Sequence, residues 1–161
     1  MADNAVPFTA FNFDVEIDVP GISPKICDAV FSECDGLEAT MDVKTIREGG
    51  NNSRQIRLIG AASYGTVTLK RGLTASSIDL FDWFAAQQEA RAADLRQTLR
   101  GTAKIVYRAA NHAVAMVVTL DRCLLTKLKA PPLSGKDGAV AIEELQLVYE
   151  TLSYEPGVAN G

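Results

Sequence analysis

Residues 11–19 read Phe-Asn-Phe-Asp-Val-Glu-Ile-Asp-Val. Apolar Phe11, Phe13, Val15, Ile17 and Val19 alternate without exception with Asn12, Asp14, Glu16 and Asp18. A period of two is that of a β-strand, whose successive side chains point to opposite faces. The run predicts a strand with one core face and one wet, acidic face, ended by Pro20-Gly21. Such a strand needs hydrogen-bonding neighbours, so the rest of the chain must supply more strands.

It does. Residues 26–34 form a second strand candidate, and Asp35-Gly36 is a turn dipeptide. Then Ala39, Met41 and Val43 alternate with Glu38, Thr40, Asp42 and Lys44. Together, residues 26–46 predict one long antiparallel hairpin. The stretch 47–57 follows, with Arg47, Glu48, Gly49, Gly50, Asn51, Asn52, Ser53, Arg54, Gln55, Ile56 and Arg57. It is too polar to bury and longer than the usual connection of about 4–6 residues, and such loops usually have a task. Contact with other copies of the chain is the expected task; a solvated excursion is the bland alternative. Residues 58–63 return to the body, and 64–71 form a further strand ended by Gly72.

One helix is expected, beginning at Ser76 as N-cap and continuing to about Ala93. Asp79 gives a weak capping box and a favourable charge in the first turn. Asp79, Asp82 and Glu89 share one polar stripe. Ile78, Leu80, Phe81, Trp83 and Phe84 cover so wide an apolar surface that packing on more than one side is expected, with Phe81, Trp83 and Phe84 as the packing residues. Strand patterns resume at 99–108 and, after a turn at 109–112, at 113–128 with an interruption near Asp121. A Pro/Gly/Ser-rich loop at 130–138 leads to a last strand, 140–152. There Val140 and Ile142 lie in one phase and Leu145, Leu147 and Tyr149 in the other, so a β-bulge is expected at Glu143-Glu144.

The fold class that follows is mainly β (α+β), an antiparallel β-barrel or sandwich with one flanking α-helix. One domain at 11–154 is expected between short tails at 1–10 and 155–161. The 161 residues suit a single domain, and 47% hydrophobic with 22% charged residues is a globular composition. A net charge of −4 argues against a nucleic-acid-binding face. No apolar run reaches the roughly 20 residues of a membrane span. The opening Met1-Ala-Asp-Asn-Ala-Val-Pro lacks the basic and apolar regions of a signal peptide, so synthesis in the cytoplasm is expected. Cys27, Cys34 and Cys123 are odd in number and form no CxxC, which predicts free thiols.

Catalytic constellations are missing from the sequence. His112 is the single histidine, in a predicted turn beside Asn111. Scattered cysteines offer no zinc spacing. Gly49-Gly50 and Ser134-Gly135-Lys136 match neither GxxxxGK[ST] nor GxGxxG. Glu143 and Glu144 are adjacent strand residues, so they point apart and cannot cooperate as acid and base. Asp14, Glu16 and Asp18 read as a solvated face rather than a calcium site. The expectation is a non-enzyme without cofactor or metal.

The stretch Tyr64-Gly65-Thr66-Val67-Thr68-Leu69-Lys70-Arg71-Gly72-Leu73-Thr74, followed by Leu80-Phe81-Asp82-Trp83-Phe84, resembles a known family. So do Arg47-Glu48-Gly49-Gly50 upstream and Val140-Ala141-Ile142-Glu143-Glu144-Leu145-Gln146-Leu147-Val148-Tyr149-Glu150 near the end. In this order the motifs resemble the tail-tube proteins of contractile-tail bacteriophages and contractile injection systems, over residues 11–153. Two departures are visible. The family's frequent Trp-x-x-x-Asn-Ala-x-Pro run is absent from 116–127, and Ile59-Gly60 stands where Pro-Gly is common. They leave the main tube subunit and a tube-end or adaptor paralogue both open.

The resemblance implies a structural subunit that closes as a homo-hexamer and stacks into a tube within a virion tail or injection particle. A sheath surrounds the tube, baseplate and tape-measure proteins accompany it, and DNA or an effector passes without specific binding. On this reading Glu38, Thr40, Asp42 and Lys44 are candidate lumen-facing residues. The 47–57 loop reaches a neighbouring copy, where Glu48 and the arginines pair across the contact. A small-ligand-binding β-barrel is the alternative from another class; its strands would need apolar faces toward an inner chamber, which the acidic alternation opposes. A carboxylate hydrolase fails for want of a convergent constellation.

Overall fold

The computed structural model describes residues 12–21, 27–29, 31–47, 49–50, 53–74, 77–93, 99–133, 135–136, 138 and 140–157, with the side chains of 27–29 excepted. Among these, ten strands and one helix follow in the order β1 (Phe13–Asp18), β2 (Cys27–Ala29), β3 (Phe31–Asp35), β4 (Ala39–Ile46), β5 (Ile56–Tyr64), β6 (Val67–Gly72), α1 (Ser77–Ala92), β7 (Gly101–Arg108), β8 (Val114–Lys129), β9 (Ile142–Val148) and β10 (Thr151–Pro156).

The alternation that predicted β1 is realised: Val15, Ile17 and Val19 are buried, while Asp14 pairs with Arg108 at 2.5 Å on the outer face. All strand pairs are antiparallel. The main sheet runs β2-β1-β7-β8-β9-β6-β3, with β10 also on β8, and it does not close into a barrel. The barrel half of the expectation therefore gives way to an open, folded sheet.

The fold-over is made by β8. Its first part pairs with β7 and β10, and Leu124–Lys129 pair with β9. At the change of partner Arg122 takes φ 57°, and the register against β7 slips between Gly101 and Ala103. The interruption expected near Asp121 is thus a bulge that bends the strand from one sheet half into the other. Glu150 N–H donates to Asp121 O at 3.0 Å, so β9 and β10 follow the same bend.

The two halves close on one core. Val15, Ile17, Ile105, Val118 and Leu120 come from one half, and Phe31, Val67, Leu69, Leu145 and Leu147 from the other. These side chains fill the space where a ligand barrel would hold its chamber. Helix α1 adds Leu80 and Trp83, both 0% exposed. Trp83 Nε1 donates to Leu99 O at 3.0 Å, which satisfies its polar end. A Cβ on Gly101 would lie 2.8 Å from Val19 Cγ2 and 3.0 Å from the Asp18 carbonyl oxygen, so glycine lets β7 start this close to the end of β1.

Several expectations need correction. Residues 26–46 are not one hairpin. Strand β2 pairs with β1, β3 with β6, and β4 with β5. Asp35-Gly36 is a corner at which the chain leaves the main sheet. Gly36 has φ +91°, donates its N–H to Asp35 Oδ1 at 2.7 Å, and lies so close to Thr66 that a Cβ would stand 2.0 Å from its carbonyl oxygen.

Nor is there a bulge at Glu143-Glu144. β9 pairs with β6 in unbroken register from Ile142 to Leu147, and Glu143 continues the inward row of Leu145, Leu147 and Tyr149. Glu143 is buried because Arg71 of β6 pairs with it, and Ser77 Oγ donates to the same carboxylate oxygen at 2.9 Å. The guanidinium also stands 5.6 Å from the Phe31 ring centroid. Glu144 points outward toward Lys127.

Of the expected helix-packing residues, Trp83 is buried and Phe84 lies against the core, but Phe81 is 46% exposed. The second apolar side of α1 is open. Ser76, the expected cap, lies outside the described residues, as do Phe11 and the tail at 1–10. The last strand passes the expected domain end: Glu155 pairs with Val117 and Pro156 with Met116, and Gly157 N–H donates to Ala115 O.

Candidate assembly surface

Strands β4 and β5 form a two-stranded sheet of their own. Its base is anchored. Gly65 N–H and Tyr149 O–H donate to Glu38 O at 2.9 and 3.4 Å, and the Tyr64 and Tyr149 rings lie 5.6 Å apart. Beyond that base every residue of β4 is exposed.

The register sorts the two faces. Ala39 pairs with Tyr64, Met41 with Ala62 and Val43 with Ile59, so these share one face. Thr40 pairs with Ser63, Lys44 with Leu58 and Ile46 with Ile56 on the other. Between Met41 and Val43 the register shifts by a residue, where Gly60 sits against Asp42. The first face is apolar yet uncovered: Met41 is 55%, Val43 59% and Ile59 77% exposed. The alternation had put Met41 and Val43 on one face without saying what that face packs against. An isolated two-stranded hairpin is marginal in water, and a large exposed apolar patch marks an interaction site.

The candidate residues fall along this hairpin. Thr40, Asp42 and Lys44 share its more polar face, and Glu38 precedes it with its side chain exposed. Thr40 Oγ1 lies 3.4 Å from Glu38 Oε1. Arg47, Gly49, Gly50 and Arg54 lie at the exposed tip, and Gly50 has φ +99°. Glu48, Asn51 and Asn52 fall outside the described residues. Arg57 is not in the loop: it is paired with Thr45 within β5. The tip is therefore shorter than expected, and it is the end of a hairpin rather than an insertion. The residues that sequence reasoning missed are Met41, Val43 and Ile59. Their signal was an apolar row on a strand followed by a loop too polar to cover it.

Other single residues are peripheral. His112 is exposed in a turn at φ 65°, and its carbonyl accepts from Arg108 at 3.1 Å. Cys34 and Cys123 are free. Burial, with Asp35 adding to it, pushes the Cys34 thiol up to about 11, and burial pushes Cys123 up to about 12. Neither is a reactive thiolate near neutral pH. No helix among the described residues is long and apolar enough to cross a membrane.

No curated protein sequence matches this chain. Solved structures do. A chain of the anti-feeding prophage (AFP) baseplate, studied by six-fold symmetrised cryo-EM, is similar at 25% identity and TM-score 0.74, covering 96% of this chain and 99% of that one. A chain of the extended sheath-tube complex of an extracellular contractile injection system, PVC, is similar in fold at 20% identity and TM-score 0.75, covering 95% and 94%. A chain of the AFP tube-terminating cap is similar in fold at 18% identity and TM-score 0.74, covering 98% and 100%. The family model described as T4-like virus tail tube protein gp19 matches residues 9–153, and the chain belongs to that family.

Proposed function

We propose that this chain is the structural inner-tube subunit of a contractile phage tail or contractile injection system. The observation that carries the reading is the β4–β5 hairpin. It exposes Met41, Val43 and Ile59 on a sheet that a single protomer leaves uncovered. A neighbouring copy that packs on this face would bury it. Rings closed in this way use a heterologous interface, and stacking the rings gives a tube. Family membership and the likeness to AFP and PVC chains support the same assembly.

Six copies per ring is the proposed closure, with sheath outside and baseplate at one end. Tape-measure protein and cargo, DNA or effector, occupy the channel without a specific site. Glu38, Thr40, Asp42 and Lys44 are proposed to line that channel. Arg47, Gly49, Gly50 and Arg54 at the hairpin tip are proposed to reach the next ring, together with Glu48, Asn51 and Asn52, which lie between them in the sequence. The protein acts by repeated contact, and no catalytic step is assigned to it. Synthesis in the cytoplasm and incorporation into a virion tail or injection particle complete the proposal.

Negative-stain microscopy and mass photometry of the purified chain test this. Six-membered rings or stacked tubes are expected, and deletion of residues 49–53 should shorten or abolish the tubes. Equal tubes from both proteins would remove the role of the tip. A wild-type protein that stays monomeric at high concentration would remove the tube assignment.

A further inference from the structure

A groove of about 490 Å³ runs between α1 and β8. We propose that it receives a peptide segment of a different protein, one that places an apolar side chain beside an aspartate or glutamate. The floor is apolar, formed by Phe84, Leu124 and Leu125. Its volume falls within the range of pockets that enclose a large organic group. Two guanidiniums, Arg91 and Arg100, stand on its walls, and no carboxylate lines it among the described residues. On a chain with net charge −4 this is a local reversal of sign.

The state of Arg100 strengthens the case for an acid. One terminal nitrogen is engaged by Glu150 at 2.8 Å and lies 3.3 Å from the Arg122 carbonyl. Glu150 is shared with Arg122 at 2.6 Å, so one carboxylate serves two guanidiniums. Arg100 Nε is buried with no hydrogen-bond partner among the described residues. A carboxylate that draws this side chain toward the groove would give Nε the acceptor it lacks.

Gln87 decides how a ligand enters. Its amide accepts from Leu125 N–H at 2.9 Å and donates to Leu125 O at 2.8 Å. That closes the backbone of β8 at this point, so a peptide cannot add as another strand and must enter side chain first. Among the described residues the chain's own exposed apolar–acidic pairs are ill suited to that entry: Ile78-Asp79 and Phe81-Asp82 are held in α1, Met41-Asp42 and Asp42-Val43 in the paired β4, and Tyr154-Glu155 in the paired β10. A flexible segment of another protein is the better occupant.

The test uses the full chain and fluorescein-labelled Gly-Gly-Phe-Asp-Gly-Gly-amide, read by fluorescence anisotropy. Counterparts carry Phe-Asn or Ala-Asp in the centre. The Phe-Asp peptide should bind about tenfold more tightly than either, the scale of one charged hydrogen bond or one buried ring. Arg91→Gln and Arg100→Gln should each weaken it by about tenfold. Ala90→Trp fills the groove from the helix side, leaves both arginines in place, and should abolish binding while the far-UV spectrum is unchanged. Equal binding of the Asp and Asn peptides, or binding that survives Ala90→Trp, overturns the proposal. Binding that is lost when the chain assembles with itself assigns the groove to a second copy, and that also overturns it.

Discussion

Replacing Arg71 by methionine keeps most of the side-chain volume and removes the charge. In the folded protein Arg71 and Glu143 are each 1% exposed and paired, and Ser77 Oγ adds a 2.9 Å hydrogen bond to the carboxylate. The variant leaves Glu143 buried with a single hydroxyl partner. Breaking one side of a buried pair costs about 3–5 kcal/mol, because the remaining charge is uncompensated. For a chain of this size each kcal/mol lowers Tm by about 2–4 °C, so a fall on the order of 10 °C is expected. Arg71→Met with Glu143→Leu removes both charges and should recover most of the loss, since an apolar pair of similar volume is often neutral or better. The assay is urea unfolding followed by far-UV circular dichroism at a concentration where the chain is monomeric. The cycle isolates the pair, with Ser77 left in place. A single variant that costs under about 1 kcal/mol, or a double variant as unstable as the sum of the singles, would refute the reasoning.

Ile59→Lys should leave protomer stability within about 0.5 kcal/mol, as for other exposed positions, yet abolish ring and tube formation in electron micrographs; unchanged tubes would free that face of any assembly role. Gly36→Ala should destabilise the chain by about 1–3 kcal/mol through its φ of +91° and the 2.0 Å approach to Thr66 O, measured by thermal unfolding. The Cys123 and Cys34 thiols are raised in the folded state above their ordinary value of 9.0. Their contribution to stability is therefore fully present below pH 9.0 and is lost as pH rises toward about 11 and 12. Cys123→Ala should flatten that alkaline decline in a pH series of unfolding midpoints, and an unaltered slope would remove Cys123 as its source.

How far the sequence reached depends on how local the deciding force is. The Phe13–Asp18 strand and the Ser77–Ala92 helix were legible because period and capping chemistry lie within the segment itself. The bend near Asp121 was legible because a charged pair interrupts an otherwise apolar strand. The 26–46 hairpin was misread because strand pairing is a long-range choice: β3 takes β6 as partner, and β4 waits for β5 beyond the polar tip. A break in phase was read at Glu143-Glu144 because Val140 and Ile142 are apolar, whereas they are exposed and it is Glu143 that continues the inward row. Its partner lies 72 positions away in the chain, and only folding brings the two together. That pair also links two of the motifs that carried the family resemblance, the Lys70-Arg71-Gly72 stretch and the last strand.

The sequence by itself determined the class of the fold, the helix at Ser77–Ala92, the absence of recognisable catalytic motifs and the family. These follow from periodicity and residue order, which need no partner to be read. Only the tertiary structure decided where the apolar row of β4 goes. Alternation says that Ala39, Met41 and Val43 face one way, but it cannot say whether that way is inward. The core is already filled by β1, β6, β7, β8, β9 and Trp83, so the hairpin stands off the main sheet with its apolar face outward. Which surface is left for another molecule depends on what the rest of the chain has already buried, and that is a property of the packed whole.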